Sequence, residues 1–182
     1  MTHYDIILIE DRKQDVAEIL DCLKESAKEK SDKYDFHFEH IQGTEECNYE
    51  GEEYLFYNES ILQTIEQKCA EARDQSKEKI GLLLDVMLTK EDLESNLSSY
   101  YPQAELAKQI YFKFYEQMPI YMITSSPVFA TQSDVIMGTD LSEQYIAKNA
   151  LLRYKFKDDI ERLFAFYCNF KLTENGPEVD YA

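Results

Sequence analysis

Glu10 and Asp11 close one apolar run, YDIILIED, and Asp85 closes another, GLLLD. Thr124 and Ser125 end a third run, PIYMITS, and Lys148 follows a fourth, QYIAK. Three carboxylates brought together repel one another unless a cation sits between them. Donors that are all oxygen suit Mg²⁺, which keeps some of its waters and leaves room for a phosphate. A carboxylate beside such an ion can act as nucleophile toward a phosphoryl group. An ammonium can neutralise the added charge, and a hydroxyl can hydrogen-bond a phosphoryl oxygen. Together these residue types suit phosphoryl chemistry at an acidic, metal-binding edge.

That chemistry requires elements that bring the four run-ends together. The run Tyr4–Glu10 is β-branched and apolar throughout and reads as a strand buried on both faces. Val16, Ile19, Leu20 and Leu23 then recur at helical spacing. YDFHFEHI alternates, with Phe36, Phe38 and His40 on one side, and reads as a second strand. Residues 42–58 are acidic and tyrosine-rich and read as an insertion with room for a short hairpin. Helical spacing resumes through Ile61, Leu62, Ile65 and Cys69, followed by the strand IGLLLD. A polar loop over 89–102 precedes the helix QAELAKQIYFKFYEQ, the strand PIYMIT, a mixed segment over 125–143, the short strand QYIA and a last helix near Lys155–Phe170. Strands alternating with helices predict an α/β fold with a parallel sheet covered on both faces. In such a sheet the strand C-termini share one edge, where ligands bind at the switch point of strand order. All four run-ends fall on that edge. Residues 1–171 are expected to form one domain and 172–182 a flexible tail.

The chain has 182 residues, 44% hydrophobic, enough to bury a core, and a net charge of −17. Such a charge repels nucleic acid and anionic membranes and suits a cation or a basic partner. Cys22, Cys47, Cys69 and Cys168 form no CxxC pair, which fits a reducing cytoplasm and argues against a zinc ribbon. The N-terminal stretch has no secretory-signal pattern and no apolar run approaches membrane-spanning length, so a cytoplasmic protein is expected.

The fragments ILIEDRKQD, LLLDVML, IYMITSS and YIAKNAL, in this order at the strand ends, resemble the receiver (CheY-like) domain of two-component response regulators. The resemblance covers most of the chain. It implies a flavodoxin-like three-layer sandwich with a five-stranded parallel sheet of order 2-1-3-4-5. It makes Asp85 the phospho-acceptor and gives Mg²⁺ to Glu10, Asp11 and Asp85 with the Met87 backbone carbonyl. Thr124 becomes the switch hydroxyl, Lys148 the phosphate-pairing lysine and Tyr145 the switch aromatic. The implied function is a stand-alone receiver in a Mg²⁺-dependent phosphorelay, not an enzyme. It would be phosphorylated by a histidine kinase or phosphotransfer protein and would signal by contact with a downstream protein. No DNA-binding output module is expected after the last helix.

The chain departs from the receiver pattern. Asn149 stands where receivers carry a proline after the lysine, so a trans bond is expected there. Thr89 replaces the usual proline after the acceptor strand, and two segments are enlarged. These departures favour the alternative of a pseudo-receiver, an interaction module not controlled by phosphorylation. A dehalogenase-like phosphatase would need a second Asp where Met87 stands. His37, Glu39, His40 and Cys47 do not read as a metal site, because strand positions three apart point to opposite faces. On the last helix, Ile160, Leu163, Phe164 and Tyr167 form the core stripe. Phe166 and Phe170 flank it, and that flank is the expected homodimer or partner face.

Overall fold

A computed structural model describes residues 1–30, 32–49, 52–57, 60–74, 78–86 and 104–181. The chain runs β1 (Thr2–Glu10), α1 (Lys13–Lys28), β2 (Tyr34–Gln42), β3 (Thr44–Tyr49), β4 (Glu52–Tyr57), α2 (Ser60–Asp74), β5 (Glu78–Asp85) and α3 (Glu105–Phe114). It continues through β6 (Ile120–Thr124), α4 (Phe129–Met137), β7 (Tyr145–Ala147), α5 (Lys148–Leu151), α6 (Lys157–Asn169), β8 (Phe170–Thr173) and β9 (Gly176–Val179). The main sheet has five strands in the order β2-β1-β5-β6-β7, and every pairing in it is parallel. Counted along the chain this is 2-1-3-4-5: the alternation of strands and helices predicts the covered parallel sheet, and the receiver resemblance implies this flavodoxin-like order.

The period-two alternation of strand side chains divides the core into two layers. Ile7, Ile9, Leu82, Leu84 and Met122 face one way, onto Ile61, Ile65, Ile110 and Phe114 of α2 and α3. Ile6, Leu8, Leu83, Tyr121 and Ile123 face the other, onto Ile19, Leu23, Leu163, Phe164 and Tyr167 of α1 and α6. Both faces being covered explains why β1 and β5 read as unbroken apolar runs. Leu82, Leu83 and Leu84 are fully buried, and each burial contributes roughly 1.5–3 kcal/mol. Together they anchor the strand, which holds Asp85 buried at its end.

The insertion at 42–58 contains the antiparallel hairpin β3–β4. The enlarged loop at 89–102 and Met87 lie outside the described residues. The tail differs from expectation: instead of fraying from residue 172, the chain forms the antiparallel hairpin β8–β9. Gly176, at φ 103°, supplies the left-handed turn conformation between its strands. Among the described residues no peptide bond is cis, as expected at Asn149, and no helix is long and apolar enough to cross a membrane.

Candidate metal and phosphoryl site

The C-terminal ends of β1 and β5 are adjacent in the sheet, with Ile9 paired to Leu84, so the residues that follow each meet at one edge. Glu10 is fully buried, Asp85 is 2% exposed and Lys148 5% exposed. One oxygen from each of Glu10, Asp11 and Asp85 lies within 4.8 Å of the others. Lys148, the first residue of α5, reaches the same cluster. Its Nζ stands 2.9 Å from Glu10 Oε2, donates to Asp85 Oδ2 at 3.3 Å, and lies 3.9 Å from Asp15 Oδ2.

Local backbone geometry fixes each acid. Helix α1 has no side-chain cap at Arg12. The N–H groups of Asp11 and Arg12, just ahead of it, are taken instead by Glu10 Oε1 at 3.1 and 3.0 Å. His40 Nε2 donates to the Glu10 carbonyl at 2.9 Å, and Gln42 Nε2 to the Asp11 carbonyl at 2.7 Å. Strand β2 therefore clamps the backbone that carries both acids. Sequence reading missed His40, Gln42 and Asp15 as parts of this site. The placement of His40 and Gln42 follows from the in-register pairing of β2 with β1, which sets Gln42 directly opposite Glu10 and which no local sequence pattern encodes.

The electrostatics follow from burial and crowding. Burial drives the Asp85 carboxyl well above its usual range, and the Glu10 charge adds to this more than Lys148 relieves it. Burial and then Glu10 push Asp11 up to about 6. Glu10 goes the other way: burial raises it, but hydrogen bonding with Asp85 and Asp11, the Lys148 charge and the Arg12 N–H outweigh burial and hold it low. Burial pulls Lys148 down, but Asp85 and Glu10 overcome that and leave it raised. Glu10 and Lys148 thus form the favoured ion pair, and Asp85 and Asp11 are the acids whose charged forms the site disfavours. Clustered acids were expected to need a metal cation; Lys148 already supplies part of that positive charge.

The residues present fit a hard divalent cation. Every candidate donor is oxygen, and Asp11 Oδ1 is buried without a hydrogen-bond partner. Glu10, Asp11 and Asp85 would hold the ion; the expected Met87 carbonyl lies outside the described residues. Thr124 is buried at the end of β6, one residue beyond the Ile123 that pairs with Asp85. Its Oγ1 accepts the Ser126 N–H at 3.0 Å, which leaves the hydroxyl proton to be donated elsewhere. Tyr145 is half-buried, its ring edge-on to Phe129 at 5.1 Å. Structurally it is a packing residue at the start of β7.

Fold and site together define an α/β protein of CheY-like topology with a buried acidic triad and one lysine at the C-terminal edge of its sheet. Comparison with family models, curated proteins and solved structures gives no significant match. The functional argument therefore stands on the site's own geometry.

Proposed function

We propose that the chain is a receiver-type phospho-acceptor whose acceptor is Asp85. The observation that carries this reading is the convergence of Lys148 Nζ on both Glu10 and Asp85, beside a third carboxylate with an open oxygen. In the ionised form, an Asp85 carboxylate oxygen attacks the phosphorus of a phosphohistidine or small phosphoramidate. A P–O bond forms, the P–N bond breaks, and the nitrogen leaves with the electron pair and takes up a proton. Mg²⁺ held by Glu10, Asp11 and Asp85 would neutralise charge on the phosphoryl oxygens and favour ionised Asp85. Lys148 moves its charge from Glu10 toward the new phosphoryl group, and the Thr124 hydroxyl donates to one of its oxygens. The donor is a histidine kinase or phosphotransfer protein, and output passes to a downstream protein by contact.

Intact mass after incubation with MgCl₂ and phosphoramidate tests this. A single phosphoryl adduct on the wild type, absent from Asp85→Asn and from a sample in EDTA, is the expected result. An adduct that persists in Asp85→Asn overturns the assignment of the acceptor.

A second reading has its own observation. The cluster is already compensated, because the Glu10–Lys148 pair is closed and Asp85 is nearly inaccessible. That arrangement suits a pseudo-receiver that binds partners through the same fold without phosphorylation. Absence of any adduct, together with a binding partner whose affinity is the same for wild type and Asp85→Asn, selects this alternative.

A further inference from the structure

At the other end of β1 a different set of side chains meets. In-register parallel pairing sets His3 opposite Asp35 and Asp5 opposite His37. All four are on one face of the strand pair, because positions two apart share a face. The imidazoles of His3 and His37 lie 4.2 Å apart between centroids, tilted by 37°. Asp35 Oδ2 stands between them, 3.7 Å from His3 Nδ1 and 3.1 Å from His37 Nε2. One donor atom from each of the three residues lies within 4.8 Å of the other two.

We propose that His3, Asp35 and His37 form a surface site for a zinc-like divalent cation, with Asp5 as a positioning residue for His3. Two imidazoles and a carboxylate are a Zn²⁺ donor set and a poor one for Mg²⁺ or Ca²⁺, which take oxygen. The hydrogen bonding of His3 supports the assignment. His3 Nε2 is 2.9 Å from Asp5 Oδ1, and a carboxylate accepts, so Nε2 is the donor. In the neutral ring the Nδ1 lone pair then faces Asp35. A carboxylate holding the far nitrogen of a ligating histidine is the usual way such a ring is oriented. At His37, the ion replaces the Nε2 proton that now bridges to Asp35 Oδ2. His37 and Asp35 are exposed and His3 and Asp5 partly so, which leaves the ion a route in and a position for water. The net charge of −17 raises the local concentration of any cation. The site lies seven residues along β1 from Glu10, roughly 23 Å at about 3.3 Å per residue, so the two ions do not compete.

The chain contains three histidines, which makes the test direct. Long-range ¹H–¹⁵N spectra of the imidazoles are recorded while ZnCl₂ is titrated in excess MgCl₂, with calorimetry in parallel. Saturable binding of a single Zn²⁺ is expected, moving the His3 and His37 ring nitrogens and leaving His40 in place. His37→Ala should abolish that binding, and Asp5→Asn should weaken it by about ten- to hundredfold while leaving both ligating rings present. His40→Ala should leave Zn²⁺ binding at the His3–His37 corner unchanged. Absence of binding at sub-millimolar Zn²⁺, or binding that leaves the His3 and His37 signals unmoved, overturns the proposal. Asp5→Asn binding as tightly as wild type overturns the role given to Asp5.

Discussion

Strand β1 carries charged side chains toward both of its ends, and the two groups are built in opposite ways. At the C-terminal end, Glu10 and its neighbours are buried, compensated by one lysine and clamped through the backbone by His40 and Gln42. At the N-terminal end, His3, Asp5, Asp35 and His37 are partly or fully open to solvent, and their side chains contact one another across the strand pair. Burial makes protonation and charge balance decisive at the first site. Exposure makes the second nearly neutral for stability, so only a ligand would reveal it.

The largest contrast comes from removing the cation at the buried end. Lys148→Met leaves Glu10 and Asp85 buried without their partner, and unfolding stability should fall by about 3 kcal/mol or more. Urea denaturation at neutral pH measures this, and adding Asp85→Asn to the same variant should restore part of the loss. Full wild-type stability in Lys148→Met would mean that the acids are compensated by something other than Lys148.

Asp85→Asn alone should act in the opposite direction. It removes the acid that burial and Glu10 most disfavour in its charged form, so the metal-free protein should gain on the order of 1 kcal/mol while losing phosphoryl acceptance. A thermal melt in EDTA, paired with the adduct measurement, shows whether stability and function separate at this one position.

A pH comparison sharpens the contrast further. The folded-state value of Asp11 is raised to about 6, so the folded chain binds a proton there that the unfolded chain has released. Its contribution is therefore fully present below the unfolded value of 3.8 and is lost as pH rises through about 6. The metal-free melting temperature should fall between about pH 4 and pH 6, and Asp11→Asn should flatten that fall. Mg²⁺ binding, which needs the ionised form, should weaken by about tenfold or more from pH 7 to pH 5, tenfold being the share of the Asp11 proton alone.

The smallest expected effect is at the open end. Without added metal, His37→Ala should leave the urea midpoint unmoved, because exposed ion pairs contribute little. A large loss there would show that the corner is structural, and would break the comparison.

How far the sequence reveals each part follows the same physics. The fold was readable because β1 and β5 are buried on both faces and so carry continuous apolar runs, while Val16, Ile19, Leu20 and Leu23 mark α1 unambiguously. The buried cluster was readable because acids and a lysine end those runs. Helix α4 was harder: PVFATQSDVIM mixes β-branched and polar residues, and its backbone departs from helical geometry at Gln132. The β8–β9 hairpin was missed although Asn175-Gly176 is a turn signal, because FKLT follows a helix without a break. Phe166 was expected on a partner-facing flank. It is 4% exposed, packed at 5.2 Å between centroids against Tyr121 and at 6.3 Å against Phe170, so its place is in the core. The His3–Asp35–His37 corner depends on strand register across distant parts of the chain, which no local pattern encodes.

Tyr167 of α6 donates its hydroxyl to the Leu82 carbonyl, and its own carbonyl accepts the Tyr4 hydroxyl at 3.1 Å. A Cβ on Gly81 would come within 2.8 Å of the Tyr167 ring. The consequence concerns which sequences this fold tolerates as it drifts. Gly81 sits where any strand would prefer a branched residue, yet even alanine there must displace the ring that ties α6 to β1 and β5. A saturation library sorted for folded protein should therefore be as intolerant at Gly81 as at the leucines beside it. A glycine preceding three leucines and an aspartate would then mark distant relatives better than the acidic residues themselves.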